Sequence, residues 1–332
     1  MTEDVAIGLR GIVDSQISIF VSQVSEAFAR HPDFDSLPYP QARSIAEDVR
    51  RPWRQGGPVM AETREMTMPE GGVRVRIHDP IGAGAQALKP ALVYLHGGGW
   101  TLFSLDTHDR VMREYAARGG FVVIGVDYAL SPEAKFPVAL EQVLGAIRWL
   151  RDQGASIGVD PDRLAIGGDS AGANLSMAAC LALRDAGEGD AIRGVLSNYG
   201  AYDSDCSDAA EQRFGGAGFV LNRAEMQQYW SNYLRKPSDA ENPLACPIHA
   251  RLEGLPPVLL AVAECDVLAE QNFVMAAKLA KAGVLVETIV YRGATHSFLE
   301  AMSIADLSNR ALDDGARWVR DRTAAATADV SL

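Results

Sequence analysis

The sequence predicts an α/β protein with a mostly parallel central sheet, and two observations support this prediction. Apolar residues make up 48% of the chain and charged residues 22%, which is ordinary for a globular protein. From about residue 90 onward, short apolar runs of strand length alternate with longer helical stretches. Strands that alternate with helices indicate βαβ units. Ligands in such sheets bind outside the carboxyl ends of the strands, so functional residues are expected there.

The first 80 residues follow a different pattern. Apolar residues at helical spacing predict a helix over residues 5–30, and a shorter helix is predicted around residues 42–49. Two strands, at residues 62–68 and 73–79, flank the turn sequence Pro-Glu-Gly-Gly and predict a β-hairpin.

The alternating region gives the remaining elements in order. The predicted strands are residues 91–95, 121–127, 164–166, 195–199, 258–263 and 285–291. The predicted helices are residues 137–153, 171–184, 269–282 and 301–322. Residues 203–240 interrupt the alternation and are predicted to form an insertion with helices of its own.

Charge and cysteine usage exclude several classes of function. The chain has 31 Lys and Arg against 43 Asp and Glu, a formal charge of −12, and such an acidic surface repels nucleic acid. The four cysteines form no CxxC pair and no metal-ligand spacing, so neither a metal site nor a disulfide framework is predicted. The acidic start Met-Thr-Glu-Asp does not fit a signal peptide, and no apolar run approaches the ~18 residues of a membrane helix. We therefore expect a cytoplasmic protein without a membrane partner.

The pattern Gly-x-Ser-x-Gly occurs twice, and one copy has the context of a nucleophile. Residues 168–172 (Gly-Asp-Ser-Ala-Gly) follow the predicted strand 164–166 and open the predicted helix 171–184. A serine at a sharp strand-to-helix turn stands exposed above the sheet, and the helix N-terminus behind it favours negative charge. Ser170 is therefore the candidate nucleophile.

The second copy, residues 154–158, follows the predicted helix 137–153 and precedes Val-Asp-Pro at residues 159–161. Gly commonly ends helices and Pro commonly follows their ends. This copy is predicted to be a helix end and a loop, and Ser156 is not expected to react.

A serine hydroxyl needs a base, and the base needs a carboxylate that orients it. At a strand–turn–helix nucleophile the chain order is Ser, acid, His. Two histidines follow Ser170: His249 precedes the next strand, whereas His296 follows the carboxyl end of the predicted strand 285–291. His296 is therefore the candidate base.

The acid is expected at the end of the strand between nucleophile and base. Glu264 and Asp266 both follow the predicted strand 258–263. Residues two apart in an extended chain can share a face, so spacing alone does not separate these two carboxylates.

A glycine run indicates how a developing negative charge could be held. Residues 96–100 (His-Gly-Gly-Gly-Trp) directly follow the predicted strand 91–95. Without side chains, backbone N–H groups can approach an oxyanion closely, and loops of this type supply such donors. A dinucleotide-binding loop is disfavoured because the spacing is not GxGxxG.

A third motif consists of the short segments Val-Asp-Tyr, Pro-Glu and Phe-Pro within residues 126–137. Together with residues 96–100 and 168–175, it resembles the bacterial hormone-sensitive-lipase family, GDSAG subgroup, of α/β-hydrolase carboxylesterases. The resemblance runs from about residue 60 to 320. It implies an α/β-hydrolase fold, with a mostly parallel central sheet flanked by helices and a helical lid.

The resemblance also implies a role for each site residue. Ser170 is the nucleophile, His296 the general base and Asp266 the acid, because Asp-Val-Leu at residues 266–268 matches the family's Asp-x-Leu. The family further implies that the oxyanion hole is formed by backbone N–H groups of Gly98, Gly99 and Ala171.

The activity implied by the resemblance is that of a serine carboxylesterase. It would hydrolyse small to medium acyl esters through an acyl-enzyme, with a small-molecule ester as its partner and without a cofactor or metal. Amide, carbamate or lactone hydrolysis and acyl transfer use the same triad and stay open as alternatives. A non-catalytic small-molecule binding protein is less favoured, because all three triad residues are present.

By length alone, 332 residues suit about two domains. The resemblance instead assigns residues 56–332 to one catalytic domain, and it assigns residues 1–55 and the insertion at about 203–240 to the lid. Members of the family often form homodimers, so a homodimer is one state it allows. Aromatic residues of the lid segments can line an apolar pocket: Phe34, Tyr39, Trp53, Phe214, Phe219, Tyr229 and Trp230.

Overall fold

The computed structural model describes residues 12–69, 72–82 and 87–325, and one sheet of eight strands runs through them. The strands are β1 (Glu62–Thr67), β2 (Arg74–Asp79), β3 (Lys89–Leu95), β4 (Val122–Asp127), β5 (Val159–Asp169), β6 (Val195–Asn198), β7 (Val258–Cys265) and β8 (Val286–Thr295). Their order across the sheet is β1-β2-β4-β3-β5-β6-β7-β8. The pairs β1–β2 and β2–β4 are antiparallel and all the others are parallel.

Helices cover both faces of this sheet. They are α1 (Ser15–Phe28), α2 (Tyr39–Arg50), α3 (Asp109–Gly119), α4 (Val138–Gln153), α5 (Ala171–Asp185), α6 (Asp208–Phe214), α7 (Arg223–Tyr233), α8 (Ala269–Lys281) and α9 (Asp306–Arg322). None of the helices in the described ranges is both long and apolar enough to cross a membrane.

The predicted α/β alternation and the mostly parallel sheet are confirmed, and so is the N-terminal hairpin. The helix predicted over residues 5–30 is observed as α1, and its predicted start lies outside the described residues. The final helix, predicted over residues 301–322, begins later, at Asp306, because a short 3-10 helix, Phe298–Ser303, precedes it.

Helix α3 is absent from the elements predicted above. Its outer face carries arginines that form ion pairs with acidic residues one turn away, such as Arg113 with Asp109 at 2.7 Å. Its inner face buries Val111, Met112 and Tyr115. The many charged residues make this apolar stripe hard to recognise in the sequence. The parallel pairing of β3 with β4 nevertheless requires a crossover connection between these two strands.

The core has two layers, one on each face of the sheet. Successive residues of β3 show this, because Val93 belongs to the apolar cluster under α4 and α5, whereas Leu92 and Tyr94 belong to the cluster under α1, α3 and α9. This alternation follows from the two-residue period of a strand. The carboxyl ends of the parallel strands therefore sit above a closely packed interior.

Two glycines let the start of α5 press against the end of β3. A Cβ atom at Gly168 or at Gly172 would collide with the carbonyl oxygen of Leu95. The strand-to-helix turn and the loop after β3 are in direct backbone contact for this reason, which places Ser170 beside residues 96–100.

We expect Gly172→Ala to destabilise the fold, because the added methyl group meets fixed backbone atoms of Leu95 and His96. Overpacking of this kind lowers the free energy of unfolding by about 1–3 kcal/mol. Urea denaturation measures the loss. Gly216→Ala is the matched control, since nothing lies within 4 Å of the position of its Cβ and its stability should be equal or slightly higher. Equal stability of the two variants would contradict the close approach.

Candidate active site

Ser170 stands at a strained turn between β5 and α5. Its backbone has φ 54° and ψ −116°, a conformation that costs a side-chain-bearing residue about 1–3 kcal/mol. The turn is held by the hydrogen bond from the Ser170 N–H to the Asn198 carbonyl, at 2.9 Å. Strain of this kind persists only where the surroundings fix it, and the turn places the serine hydroxyl at the end of the sheet.

The three side chains expected from the sequence lie in one hydrogen-bonded row. His296 Nε2 is 2.9 Å from Ser170 Oγ, and His296 Nδ1 is 2.7 Å from Asp266 Oδ2. Asp266 follows β7 and His296 follows β8, so each residue comes from the carboxyl end of a different strand. The Asp266 carboxylate is 2% exposed and is fixed further by the Leu268 N–H, at 3.0 Å from Oδ1. The row can move a proton away from the serine hydroxyl.

The structure shows which of the two candidate carboxylates contacts the imidazole of His296. Asp266 contacts the imidazole, whereas Glu264 accepts a hydrogen bond from the Gly293 N–H at 2.8 Å and lies 3.4 Å from the Arg292 guanidinium. Glu264 therefore holds the segment that precedes His296. At this point the register of the β7–β8 pair shifts, because Ala263 pairs with Tyr291 whereas Cys265 pairs with Thr295. The extra residues of this bulge belong to β8 and include Arg292 and Gly293, the two partners of Glu264.

The glycine loop presents unpaired backbone donors beside Ser170. Gly98 and Gly99 have φ values of 110° and 58°. The Gly98 carbonyl accepts hydrogen bonds from the N–H groups of Thr101 and Leu102, at 3.0 and 2.9 Å. No group in the described part of the chain accepts a hydrogen bond from the backbone N–H of Gly98, Gly99 or Ala171. These three donors, expected from the sequence, are available to an anionic oxygen.

A buried carboxylate beneath the nucleophile joins it to the glycine loop. Asp169 Oδ1 accepts hydrogen bonds from the Tyr94 hydroxyl at 2.8 Å and from the Gly97 N–H at 3.1 Å. Its Oδ2 is 3.3 Å from His108 Nε2. Sequence reasoning assigned no role to Asp169 or His108, because their contact joins residues 61 positions apart along the chain.

Burial and charge act against each other in this pair. Burial alone would raise the pKa of the Asp169 carboxyl, but the charge and hydrogen bond of His108 hold that pKa below its ordinary value. Burial would likewise lower the pKa of His108, and the Asp169 carboxylate keeps it above its ordinary value. Each group of the pair therefore favours the charged form of the other.

His96 has a structural place in the loop. Burial lowers its pKa to about 3, so it is neutral. Its ring stacks on Tyr128 at a centroid distance of 4.4 Å, and its Nδ1 lies 2.7 Å from the Gly97 carbonyl oxygen. The Tyr128 hydroxyl donates to the His96 carbonyl at 2.6 Å. These contacts fix the start of the glycine loop.

Most of the seven aromatic residues named above pack against other side chains. The Trp53 ring meets the Phe20 ring edge-on at 4.8 Å, and Phe214 meets Phe219 in the same way at 5.6 Å. Tyr229 differs, because its ring lies directly over Gly99, where a Cβ atom would collide with it. Of the remaining three, Phe34 contacts Phe28, Tyr39 contacts Asn232, and Trp230 contacts Trp100.

Asp169→Asn should lower the pKa of His108, because the buried imidazole loses the carboxylate whose charge and hydrogen bond raise that pKa. The pair's stabilisation is present between the two folded-state pKa values. This stabilisation is lost as pH rises through the folded-state pKa of His108, and it is lost as pH falls through the folded-state pKa of Asp169. Removing one partner of a buried pair costs about 3–5 kcal/mol of unfolding free energy.

NMR titration of the imidazole resonances measures the pKa of His108, and urea denaturation measures the stability. Asp185→Asn is the control, since Asp185 forms an exposed ion pair with Arg184 and should leave the His108 pKa unchanged. An unshifted His108 in Asp169→Asn would show that the carboxylate does not charge it.

Comparison with known proteins places this arrangement in a family. A family profile described as alpha/beta hydrolase fold matches residues 92–300, a range that contains all six expected site residues. The carboxylesterase EstE1 from a metagenomic library is 31% identical and superimposes with a TM-score of 0.83, over 87% of this chain and 99% of that chain.

Two further solved structures are similar. The esterase of Pyrobaculum calidifontis is 30% identical with a TM-score of 0.85, covering 94% of this chain and 100% of that chain. A thermostable esterase from Pseudomonas putida ECU1011 is 28% identical with a TM-score of 0.85, covering 94% and 98%. The profile match, the eight-stranded sheet and the serine at the strand-to-helix turn lead to one conclusion: this chain belongs to the α/β-hydrolase fold family.

Proposed function

We propose that the protein is a serine carboxylesterase that hydrolyses small to medium acyl esters through an acyl-enzyme intermediate. The observation that carries this proposal is the hydrogen-bonded row of Asp266, His296 and Ser170 beside unpaired backbone donors. The similar solved structures are described as esterases, which supports the same activity. The GDSAG motif further supports a place in that subgroup of the hormone-sensitive-lipase family.

In the acylation step, Ser170 Oγ attacks the ester carbonyl carbon while His296 Nε2 takes the hydroxyl proton. The carbonyl oxygen becomes an anion, and the N–H groups of Gly98, Gly99 and Ala171 donate hydrogen bonds to it. Asp266 accepts a hydrogen bond from the Nδ1–H of His296 and stabilises the imidazolium. When the tetrahedral species collapses, the ester C–O bond breaks and His296 returns its proton to the leaving alcohol.

In the deacylation step, a water molecule takes the place of the alcohol. His296 Nε2 removes a proton from that water, and the resulting nucleophile attacks the acyl carbon bonded to Ser170 Oγ. The second tetrahedral species collapses with breakage of the bond to Ser170 Oγ, which regains its proton from His296. The carboxylic acid leaves, and the free enzyme is restored.

Residues 1–55 and the insertion at about 203–240 are proposed as the lid over this site. Two contacts support this role: the Tyr39 hydroxyl of α2 donates to Asn232 of α7 at 2.9 Å, and Tyr229 of α7 covers Gly99. Ser170 and His296 are only 8% and 7% exposed. A covered nucleophile favours small substrates over the surface of a lipid droplet.

A cytoplasmic location and a homodimer stay predictions of the sequence and of the family resemblance. Strand β8 is an edge of the sheet, with β7 as its neighbour, and an unpaired edge can accept a second copy of the chain. Sedimentation velocity of the purified protein would contradict the homodimer if it gave only the monomer mass.

A series of p-nitrophenyl esters of increasing acyl length tests the activity. We expect the highest kcat/KM on short to medium chains and a loss of at least about 10³-fold in kcat for Ser170→Ala. The p-nitroanilide of the preferred acyl group separates ester from amide hydrolysis. Activity that peaks on long chains, or that survives in Ser170→Ala, would overturn the proposal.

The paired variants Asp266→Asn and Glu264→Gln test which carboxylate serves the base. Loss of the Asp266 charge should lower kcat by about 10⁴-fold, because the imidazole loses the partner that fixes its tautomer. Glu264→Gln keeps an acceptor for the Gly293 N–H and should lower kcat far less. Circular dichroism verifies that both variants are folded. Equal losses in the two variants would contradict the assignment of Asp266.

A further inference from the structure

Thr101, directly after the glycine loop, is held by four hydrogen bonds. Its N–H donates to the Gly98 carbonyl at 3.0 Å, and its hydroxyl donates to the Gly99 carbonyl at 3.0 Å. Its own carbonyl accepts from Arg43 Nε at 2.8 Å, and its hydroxyl accepts from Asn232 Nδ2 at 3.4 Å. Thr101 itself is 1% exposed, so its own atoms in these bonds are shielded from water.

Both parts of the proposed lid reach this residue. Arg43 belongs to α2, and its guanidinium also binds the Ser131 carbonyl at 2.9 Å. Asn232 belongs to α7, and its Oδ1 accepts the hydroxyl of Tyr39 from α2 at 2.9 Å. The two lid segments, far apart in sequence, are therefore joined to each other and to Thr101.

On the loop side, Thr101 determines where an oxyanion donor points. The Gly98 carbonyl accepts from the N–H groups of Thr101 and Leu102, which fixes the plane of the peptide between Gly98 and Gly99. A trans peptide places its C=O and N–H on opposite sides, so the Gly99 N–H faces away from these two donors. The bond from the Thr101 hydroxyl fixes the next carbonyl, that of Gly99. The three glycines carry no side chains of their own, so hydrogen bonds from neighbouring residues fix these two peptides.

We propose that Thr101 is a positioning residue that couples the packing of the lid to the alignment of the oxyanion donors. Arg43 and Asn232 hold Thr101, and Thr101 holds the two peptides that flank the Gly99 Cα. The donors are aligned only while both lid helices rest on the core. This inference rests on the proposed esterase function.

The test compares Thr101→Val, which keeps the β-branched shape and removes the hydroxyl, with Thr101→Ser, which keeps the hydroxyl. Loss of one oxyanion donor costs about 10²–10³ in rate, so a misaligned donor in Thr101→Val should lower kcat by about 10-fold. KM should change by less than about 2-fold, because the ground-state ester does not depend on that donor. Thr101→Ser should restore most of kcat.

Thr63→Val is the matched control. It removes the hydroxyl of a threonine in β1 that bonds His78 at 3.1 Å, away from the glycine loop, and it should leave kcat unchanged. An alkyl boronic acid gives an independent readout, since its tetrahedral adduct on a serine places an oxygen at the donors. Its Kd should rise in Thr101→Val by the same factor by which kcat falls.

A double-mutant cycle tests the link to the lid. Asn232→Leu should lower kcat in the wild-type background and have a much smaller effect in Thr101→Val, where no hydroxyl is left to hold. Fully additive effects would overturn the coupling. So would a kcat for Thr101→Val equal to that of the wild type, or a Thr101→Ser variant as slow as Thr101→Val.

The outcomes distinguish this inference from the proposed function. If the wild type hydrolyses the esters and Ser170→Ala does not, the function stands, and an unaffected Thr101→Val then overturns the coupling alone. If the wild type hydrolyses none of them, the proposed function fails, and the coupling fails with it.

Discussion

The arrangement of this site depends on one buried carboxylate. Asp169 precedes the proposed nucleophile and binds the Gly97 N–H, so a single side chain joins the serine turn to the glycine loop. A charge with 3% exposure requires compensation, which the Tyr94 hydroxyl and His108 provide. Because β5 and β3 are adjacent, this carboxylate needs only a short reach to connect them. The serine and the proposed oxyanion donors are thereby fixed relative to each other before any substrate arrives.

Backbone strain is concentrated around the same place. Ser170, Trp100, Tyr199 and Ser297 all have positive φ without being glycine, and each adjoins the triad or the glycine loop. Residues in such conformations cost about 1–3 kcal/mol each and persist only where packing determines them. Here the packing is visible: Trp100 stacks on Tyr233 at 4.2 Å, and Tyr199 meets the His296 ring at 5.1 Å. The packing of these aromatic rings therefore holds the backbone in conformations that are unfavourable by themselves.

The features that sequence predicts well are those encoded within short stretches of chain. The strand-to-helix turn at Ser170 and the position of His296 after β8 follow from local patterns plus the rule that ligands lie at the carboxyl ends of strands. Spacing could not separate Glu264 from Asp266, because residues two apart in an extended chain share a face. The bulge in β8 that supplies the partners of Glu264 becomes visible only when β8 pairs with β7. Contacts between distant segments are equally invisible: the bond from Asn232 to Thr101 spans 131 positions. Three-dimensional packing decides such contacts, and a single sequence carries no periodic signal for them.

The N-terminal part of the proposed lid also contacts the loops on either side of His296. The Asp14 N–H donates to the Gly293 carbonyl at 2.9 Å, while the Gly293 N–H donates to Glu264, so the residue that starts the approach to His296 is held on both sides. Arg50 of α2 lies 3.1 Å from Glu300, in the segment after His296, and both side chains are buried. Removing one partner of a buried ion pair strongly destabilises the folded protein, because the other charge is left buried without compensation. Helices α1 and α2 thus contribute to the surroundings of the proposed base.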